Sequence, residues 1–399
     1  MTRKQERRRR VGLWLTVIAG GAALSALAGA LLPGVAAGLA AAAVMLAALV
    51  AGHRIMIAPE GVAILTYHSV GPAPGWLPWS REISVHPMTF ERHLATLRAM
   101  SAQVIPTRDF LARRAGGEAI SPRAVILHLD DGYRDNHVHA MPALRRHAVP
   151  ATVFASLDFV EPGEAVRPPD HDQGYMNWPE LAQLAHDPLF AVEPHGVDHG
   201  RVPVSDRIVD RLTPANWRGH AWLQWAAMPG AKHEWFHAAL PQAVPLGAPV
   251  PESGLALASC AWRDGTRETP QMLDARIARD LSACVDAFAR RLGTVPQVFC
   301  WPENVSVPAG RRIAASLGFA ATTGGRGRNT AAEPAHVLSR IHMGDRALGF
   351  RWLPAEALHL RAAVRLMQGN HYWYLVLAPM NLVRSVVMRL RHRLGHDFA

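Results

Sequence analysis

Two short stretches carry the side chains that could do chemistry. In Leu127-His128-Leu129-Asp130-Asp131-Gly132-Tyr133, two adjacent carboxylates end an apolar run and are followed by a turn residue. A buried strand over Val125–Leu129 would bring both to its C-terminal mouth, where an α/β barrel keeps its chemistry. Neighbouring residues leaving a strand point to different sides, so one carboxylate can hold a metal while the other takes a proton. The same spelling also serves an ordinary solvated turn. The second stretch is Glu193-Pro194-His195-Gly196-Val197-Asp198-His199, with two imidazoles four residues apart. On a helical turn that spacing puts both rings on one face, with Cβ atoms about 5–6 Å apart. Two neutral imidazoles and one carboxylate make a three-ligand site with a vacancy, the layout of a catalytic zinc. Among 21 histidines such a pair also arises by chance, so the signal lies in the conjunction of the two stretches.

The surrounding pattern supplies a scaffold for both. From Ala63 to Pro203 short apolar strands alternate with helical stretches, the mark of parallel βα units, with further strands at Val104-Ile105 and Thr152-Val153-Phe154-Ala155. The pattern resumes with an amphipathic helix from Leu273 to Leu292, a strand at Val298-Phe299-Cys300-Trp301 and a closing strand over Leu338–Met343. Between them, 201–270 holds five of the twelve tryptophans (Trp217, Trp222, Trp225, Trp235, Trp262), eight prolines and little periodicity. This reads as a long insertion on the active-site face. Its aromatics could stack on sugar rings, sit at a lipid headgroup layer, or pack a small core of their own.

These motifs resemble the NodB-homology polysaccharide deacetylases, carbohydrate esterase family 4, whose hallmarks are an Asp-Asp-Gly strand end and a His-x-x-x-His pair. The resemblance runs from about Ala63 to Met343. It includes Ile64-Leu65-Thr66-Tyr67-His68-Ser69-Val70, Phe90-Glu91-Arg92-His93-Leu94, Tyr133-Arg134-Asp135-Asn136, Pro150-Ala151-Thr152-Val153-Phe154, Met176-Asn177-Trp178-Pro179-Glu180-Leu181 and Phe299-Cys300-Trp301-Pro302. It implies a distorted (β/α) barrel in which Asp131, His195 and His199 bind a divalent metal ion, zinc, and Asp130 is the general base. It further implies that the backbone N–H of Tyr133 holds the oxyanion and that a late histidine, His342, is the acid; Leu358-His359 has the family's spelling but lies in a helical stretch. The chain departs from the family in three places. Cys300-Trp301-Pro302 lacks the preceding Arg that steadies the base, Glu303-Asn304 replaces the usual Tyr-Gly, and His128 stands where the family commonly has Thr.

The 399 residues exceed one barrel, and composition divides them. Arg3, Lys4 and Arg7 to Arg10 precede Val11–Gly52, 42 residues without a charge. As helix that run is about 63 Å, roughly twice a hydrocarbon core, and Pro33-Gly34 lies near its middle, so two crossings are expected. A cleaved signal peptide would have an apolar core of only about 7–15 residues. The expected division is thus 1–58 as basic N-terminus and membrane hairpin, 59–350 as barrel and 351–399 as a basic C-terminal segment. Beyond Pro379, Val383, Val386, Val387, Leu390 and Leu394 fall at helical spacing among arginines, as in an interfacial helix or a helix packed on the barrel. The net charge of +10 sits largely at these two ends, and the chain has no recognisable nucleic-acid module, so membrane lipids rather than nucleic acid are the expected partner. Three cysteines, Cys260, Cys284 and Cys300, argue against a disulfide framework.

The resemblance implies a hydrolase that removes an N-acyl group, acetyl or formyl, from an amino sugar that is polymeric or lipid-linked. The alternative is a non-catalytic carbohydrate-binding barrel acting as a scaffold. An inner-membrane, multi-pass protein is expected. By the positive-inside rule a hairpin returns the chain to the cytoplasm, whereas a single crossing would place the barrel in the periplasm.

Overall fold

The computed structural model describes residues 2–72, 75–228 and 230–393. Leu394, assigned above to the C-terminal helical pattern, lies outside them. The described chain divides into two units, one comprising Ile64–Gly325 with Pro334–Asp345, the other Met1–Ala63, Arg326–Glu333 and Arg346–Ala399.

The larger unit is a distorted (β/α) barrel. Eight strands form its sheet: β1 (Ala63–Tyr67), β2 (Gln103–Val104), β3 (Ala124–Leu129), β4 (Ala151–Ala155), β5 (Phe190–Pro194), β6 (Val298–Phe299), β7 (Ala321–Gly325) and β8 (Val337–His342). Their order is β6-β7-β8-β1-β3-β4-β5, with β2 beside β3. The pairs β8–β1, β2–β3, β3–β4, β4–β5, β6–β7 and β7–β8 are parallel. Strands covered on both faces need continuous apolar runs, and β1, β3 and β4 are buried at every position. The gap between β5 and β6 is bridged by a side chain instead of a ladder. Glu193 Oε2 accepts the N–H groups of Gln297 and Val298 at 2.8 and 3.0 Å, and the Cys300 N–H donates to Pro194 O at 3.0 Å. Burial pushes the Glu193 carboxyl up to about 8, against those two N–H donors.

The insertion is ordered. Arg201–Arg211 and Pro249–Leu255 pair as an antiparallel ribbon, and Trp222–Ala227 is a short helix. Trp222, Trp225 and Trp235 are buried with Tyr133, Phe159, Tyr175 and Phe236, and Trp217 is buried with Leu212 and Val250. These four tryptophans are therefore core residues; the Trp217 cluster lies within the insertion, whereas the other is shared with Leu77, Tyr133, Phe159 and Tyr175 from outside it.

In the smaller unit, α1 (Arg3–Leu31) and α2 (Gly34–Met56) are each long and apolar enough to cross a membrane, and 6 % of each apolar window is buried. Pro33 separates them. Helix α3 (Leu353–Met367) contains His359, and α4 (Tyr374–Arg393) buries Leu377 and Met380 while exposing Leu382, Val383, Val386, Met388 and Leu390. The basic start of α1 is anchored within this unit. The Arg3 N–H donates to Arg326 O at 2.8 Å, and Arg328 donates to Glu6 at 2.9 and 3.1 Å and to Pro59 O at 2.7 Å.

Candidate active site

Strand β3 ends in two carboxylates whose surroundings differ sharply. Asp131 and Gly132 both take left-handed backbone conformations, with φ of 71° and 70°. Asp tolerates that region better than most residues, and a Cβ at Gly132 would come within 3.1 Å of Ala155 Cβ. The turn re-aims Asp131 away from Asp130. Asp131 Oδ1 lies 3.2 Å from His195 Nε2 and 4.0 Å from His199 Nε2. Burial opposes its ionisation, but His195, His68 and His199 outweigh it and hold the carboxyl well below its ordinary range.

The two histidines do not sit on a helix. They lie in the loop after β5, turned by Gly196 (φ 84°) and by His199 itself (φ 50°), with ring centroids 5.2 Å apart. The helical-face reading of their spacing is thus corrected, although the rings meet as that reading required. His195 Nδ1 donates to Cys300 O at 2.9 Å, which fixes the tautomer and leaves Nε2 toward Asp131. One oxygen and two nitrogens of Asp131, His195 and His199 lie within 4.8 Å of one another. This donor set and its second-sphere anchor fit a divalent cation with an open position.

Asp130 is 2 % exposed. Its Oδ1 accepts from Arg340 Nη1 at 2.7 Å, and its Oδ2 lies 3.9 Å from His68 Nε2. Burial favours the neutral acid, yet the Arg340 guanidinium, aided by His195 and His68, holds Asp130 at about 2. Arg340, on β8, lies forty residues downstream of where the resembled family places its Arg. Cys300 occupies that earlier position, with Sγ 3.7 Å from Asp130 Oδ2. A second departure supports the relocation, since Asn304 Oδ1 accepts from Arg340 Nε at 3.1 Å and from the Gly324 N–H at 2.9 Å.

His68 was not singled out as a site residue from sequence. It follows β1, and the structure turns its Nε2 toward Asp130 while its buried Nδ1 has no hydrogen-bond partner among the described residues. The segment after the aspartates holds it there. Asn136 Nδ2 donates to His68 O at 2.8 Å, and Asp135 accepts from Ser69 Oγ at 2.5 Å and from the Val70 N–H at 3.2 Å. His342, at the end of β8, lies behind His68 with ring centroids 5.1 Å apart, and its Nε2 is 2.9 Å from Glu82 O. His359 lies in the smaller unit. Tyr133 makes a bridge to Tyr175 through the Arg134 and Met176 N–H groups, which leaves its own N–H outside that pairing. His128 is buried beneath the mouth against Thr107 Oγ1 at 3.1 Å, and burial, then Arg340, lowers its ring to about 3.

Residues 118–222 match the family model described as polysaccharide deacetylase. That stretch is therefore similar to the polysaccharide deacetylases. It is 23 % identical over 141 residues to YxkH of Bacillus subtilis (strain 168), which carries the provisional name of polysaccharide deacetylase. That match covers 35 % of this chain and 44 % of the relative, so the chain spans less than half the length of the relative it matches. Two solved structures share the deacetylase fold, each with a TM-score of 0.50. A de-N-acetylase from Aggregatibacter actinomycetemcomitans is 16 % identical, with 71 % of this chain and 94 % of that one covered. The deacetylase domain of BpsB from Bordetella bronchiseptica is 18 % identical, with 72 % and 97 % covered.

Proposed function

We propose that this chain is a membrane-anchored, metal-dependent hydrolase that removes an N-acetyl or N-formyl group from an amino sugar. The observation that carries this reading is the pairing of a buried, arginine-held carboxylate, Asp130, with the neighbouring Asp131-His195-His199 set. A scaffold that only binds sugar has no use for a buried base beside a complete ligand set.

A divalent ion such as zinc, held by Asp131, His195 and His199, would supply Lewis acidity toward the amide carbonyl. Asp130 accepts the proton of the attacking water as the new C–O bond forms. It can do so at any pH above its low pKa because Arg340 keeps it ionised. The N–H of Tyr133, which takes no part in the bridge to Tyr175, is the donor for the developing oxyanion, an interaction worth about 3–4 kcal/mol. As the C–N bond breaks, the departing amine takes a proton from His68, whose Nε2 lies 3.9 Å from Asp130 Oδ2. His342, first in line for that role from sequence, packs against it with the rings tilted by 60° and supports it.

Two features favour a substrate at a membrane. Exposed apolar residues and the side chains of Arg384, Arg389 and Arg391 share α4, a combination suited to anionic headgroups. Near its start, Tyr372 packs edge-on to Trp14 and stacks on His53, while Arg7 lies 4.3 Å over Tyr374, which gathers aromatic and basic groups at the polar ends of α1 and α2. By the positive-inside rule the basic N-terminus stays in the cytoplasm, and a two-helix hairpin returns the chain to that same side. A lipid-linked amino sugar would be concentrated there.

The test is acyl release by the zinc-loaded full-length protein in micelles from lipid-linked and free oligomeric N-acetyl amino sugars. Release abolished in Asp130→Asn, with zinc retained, supports the reading. Undiminished release would assign the base elsewhere, and release from neither substrate by the wild type would favour the scaffold. A reporter enzyme active only outside the cytoplasm, fused after Ala399, should stay silent; strong reporter activity would discard the hairpin.

A further inference from the structure

The sequence contains two lysines, Lys4 and Lys232, among many arginines. Lys232 lies in the insertion and is 6 % exposed. Its ammonium donates to Asp158 Oδ2 at 2.5 Å and to Gly230 O at 2.9 Å, and stands 3.7 Å from Asp198 Oδ2. Its N–H donates to Asp158 O at 2.6 Å. Asp198 lies between His195 and His199, and Asp158 belongs to the turn after β4.

That turn grips the histidine loop directly. The Leu157 N–H donates to Gly196 O at 3.2 Å, and the Asp158 N–H to Val197 O at 2.8 Å. From the other side the Val197 N–H reaches both oxygens of the Asp280 carboxyl at 3.3 Å. Asp158, Asp198 and Asp280 repel one another beneath the loop. Arg276 faces Asp280 but donates to Glu268 at 2.7 Å and to Ser259 O at 2.8 Å. Lys232 is the cation bonded into the cluster. An ammonium suits the position because a compact point charge with three donors can serve two carboxylates and a carbonyl in a small space.

We propose that Lys232 is a positioning residue for the metal-ligand loop: a cation delivered by the insertion that holds Asp198, and with it the separation of His195 and His199. The proposal rests on the metal reading above and gives the insertion a role besides packing its own tryptophans. Residues one shell outside a metal commonly set its affinity by about 10–100-fold.

The experiment is zinc affinity of the full-length protein in detergent micelles, measured by competition with a chromophoric chelator, with melting of the zinc-free protein recorded alongside. Lys232→Met should bind zinc about 10–100-fold more weakly. The double variant Lys232→Met/Asp158→Asn, which removes one repelling carboxylate, should regain part of that loss. Lys232→Gln, which keeps a donor on a side chain one atom shorter, replaces the methionine variant if the latter does not fold. Wild-type affinity in the single variant overturns the role of Lys232 and leaves the metal site standing. A loss that the double variant does not reduce overturns it too, because the effect would then be general damage. A wild type without stoichiometric zinc sinks the metal reading and this proposal together.

Discussion

Asp130 is sealed against Arg340 at the base of the mouth, whereas Asp131, one peptide bond later, faces two imidazoles at its edge. Both start from the same intrinsic acidity, and burial pushes both toward the neutral form. What keeps them charged differs. Asp130 is held by a fixed guanidinium, so its charge does not depend on anything bound. Asp131 is held by histidines that can themselves ligate a cation, so its partners are free to be shared with one. A single left-handed turn at Asp131-Gly132 creates this division of labour by sending adjacent side chains into unlike surroundings.

Breaking the Asp131 side should have the largest effect. His195→Ala is expected to lose both bound zinc and acyl release, as read by metal analysis and product assay, and His199→Ala to follow it. Retention of wild-type metal content in both variants would end the assignment. On the other side Asp130→Asn should keep zinc and lose about 10²–10⁴-fold in turnover, because a neutral amide cannot accept the proton. His68→Gln should resemble Asp130→Asn in keeping metal, and its loss of turnover should exceed that of His342→Gln. The opposite ranking would return the acid to His342.

Arg340→Met sharpens the contrast through pH. With Arg340 present the folded pKa of Asp130 is depressed below its unfolded value of about 3.9. That contributes stability which is present above the unfolded value and lost as pH falls through about 2. Without Arg340, burial wins and the folded pKa rises above the unfolded one. The variant should therefore be destabilised at neutral pH, by up to about 3–5 kcal/mol, and should recover stability relative to wild type on acidification. The acidic limb of its rate profile should also move upward. Urea unfolding and rates between pH 4 and 8 read both effects, with pH limits set from the same linkage. Cys300→Ala should change turnover least, because Arg340 holds the base from another strand.

How much of this was legible before the fold depends on the range of each interaction. The strand ending at Asp130, the parallel βα alternation, the apolar N-terminal pair and the helix after the insertion follow from local pattern, because burial on a strand or helix face repeats every two or three to four residues. Asp131, His195 and His199 were nameable because family motifs spell them; their roles remain proposals to be tested by the variants above. The placement of His68 was missed although Tyr67-His68 was read as part of a strand. Where its ring points is shown only by the tertiary contact of its Nε2, 3.9 Å from Asp130 Oδ2.

The sequence alone determined element types and the chemistry available to each, since backbone propensity and side-chain functional groups are local properties. Tertiary structure decided which groups meet. The missing Arg beside Trp301 was replaced from β8, 210 residues from its partner Asp130, and Asn304 was recruited to hold it. The insertion, which read as a loop without periodicity, proved to be a ribbon and an aromatic core, because its apolar residues pair across long separations instead of along one helix or strand face. Likewise, nothing in the spelling of the lone barrel lysine indicates two aspartates 74 and 34 residues away; their meeting beside the histidine loop is a consequence of the closed fold.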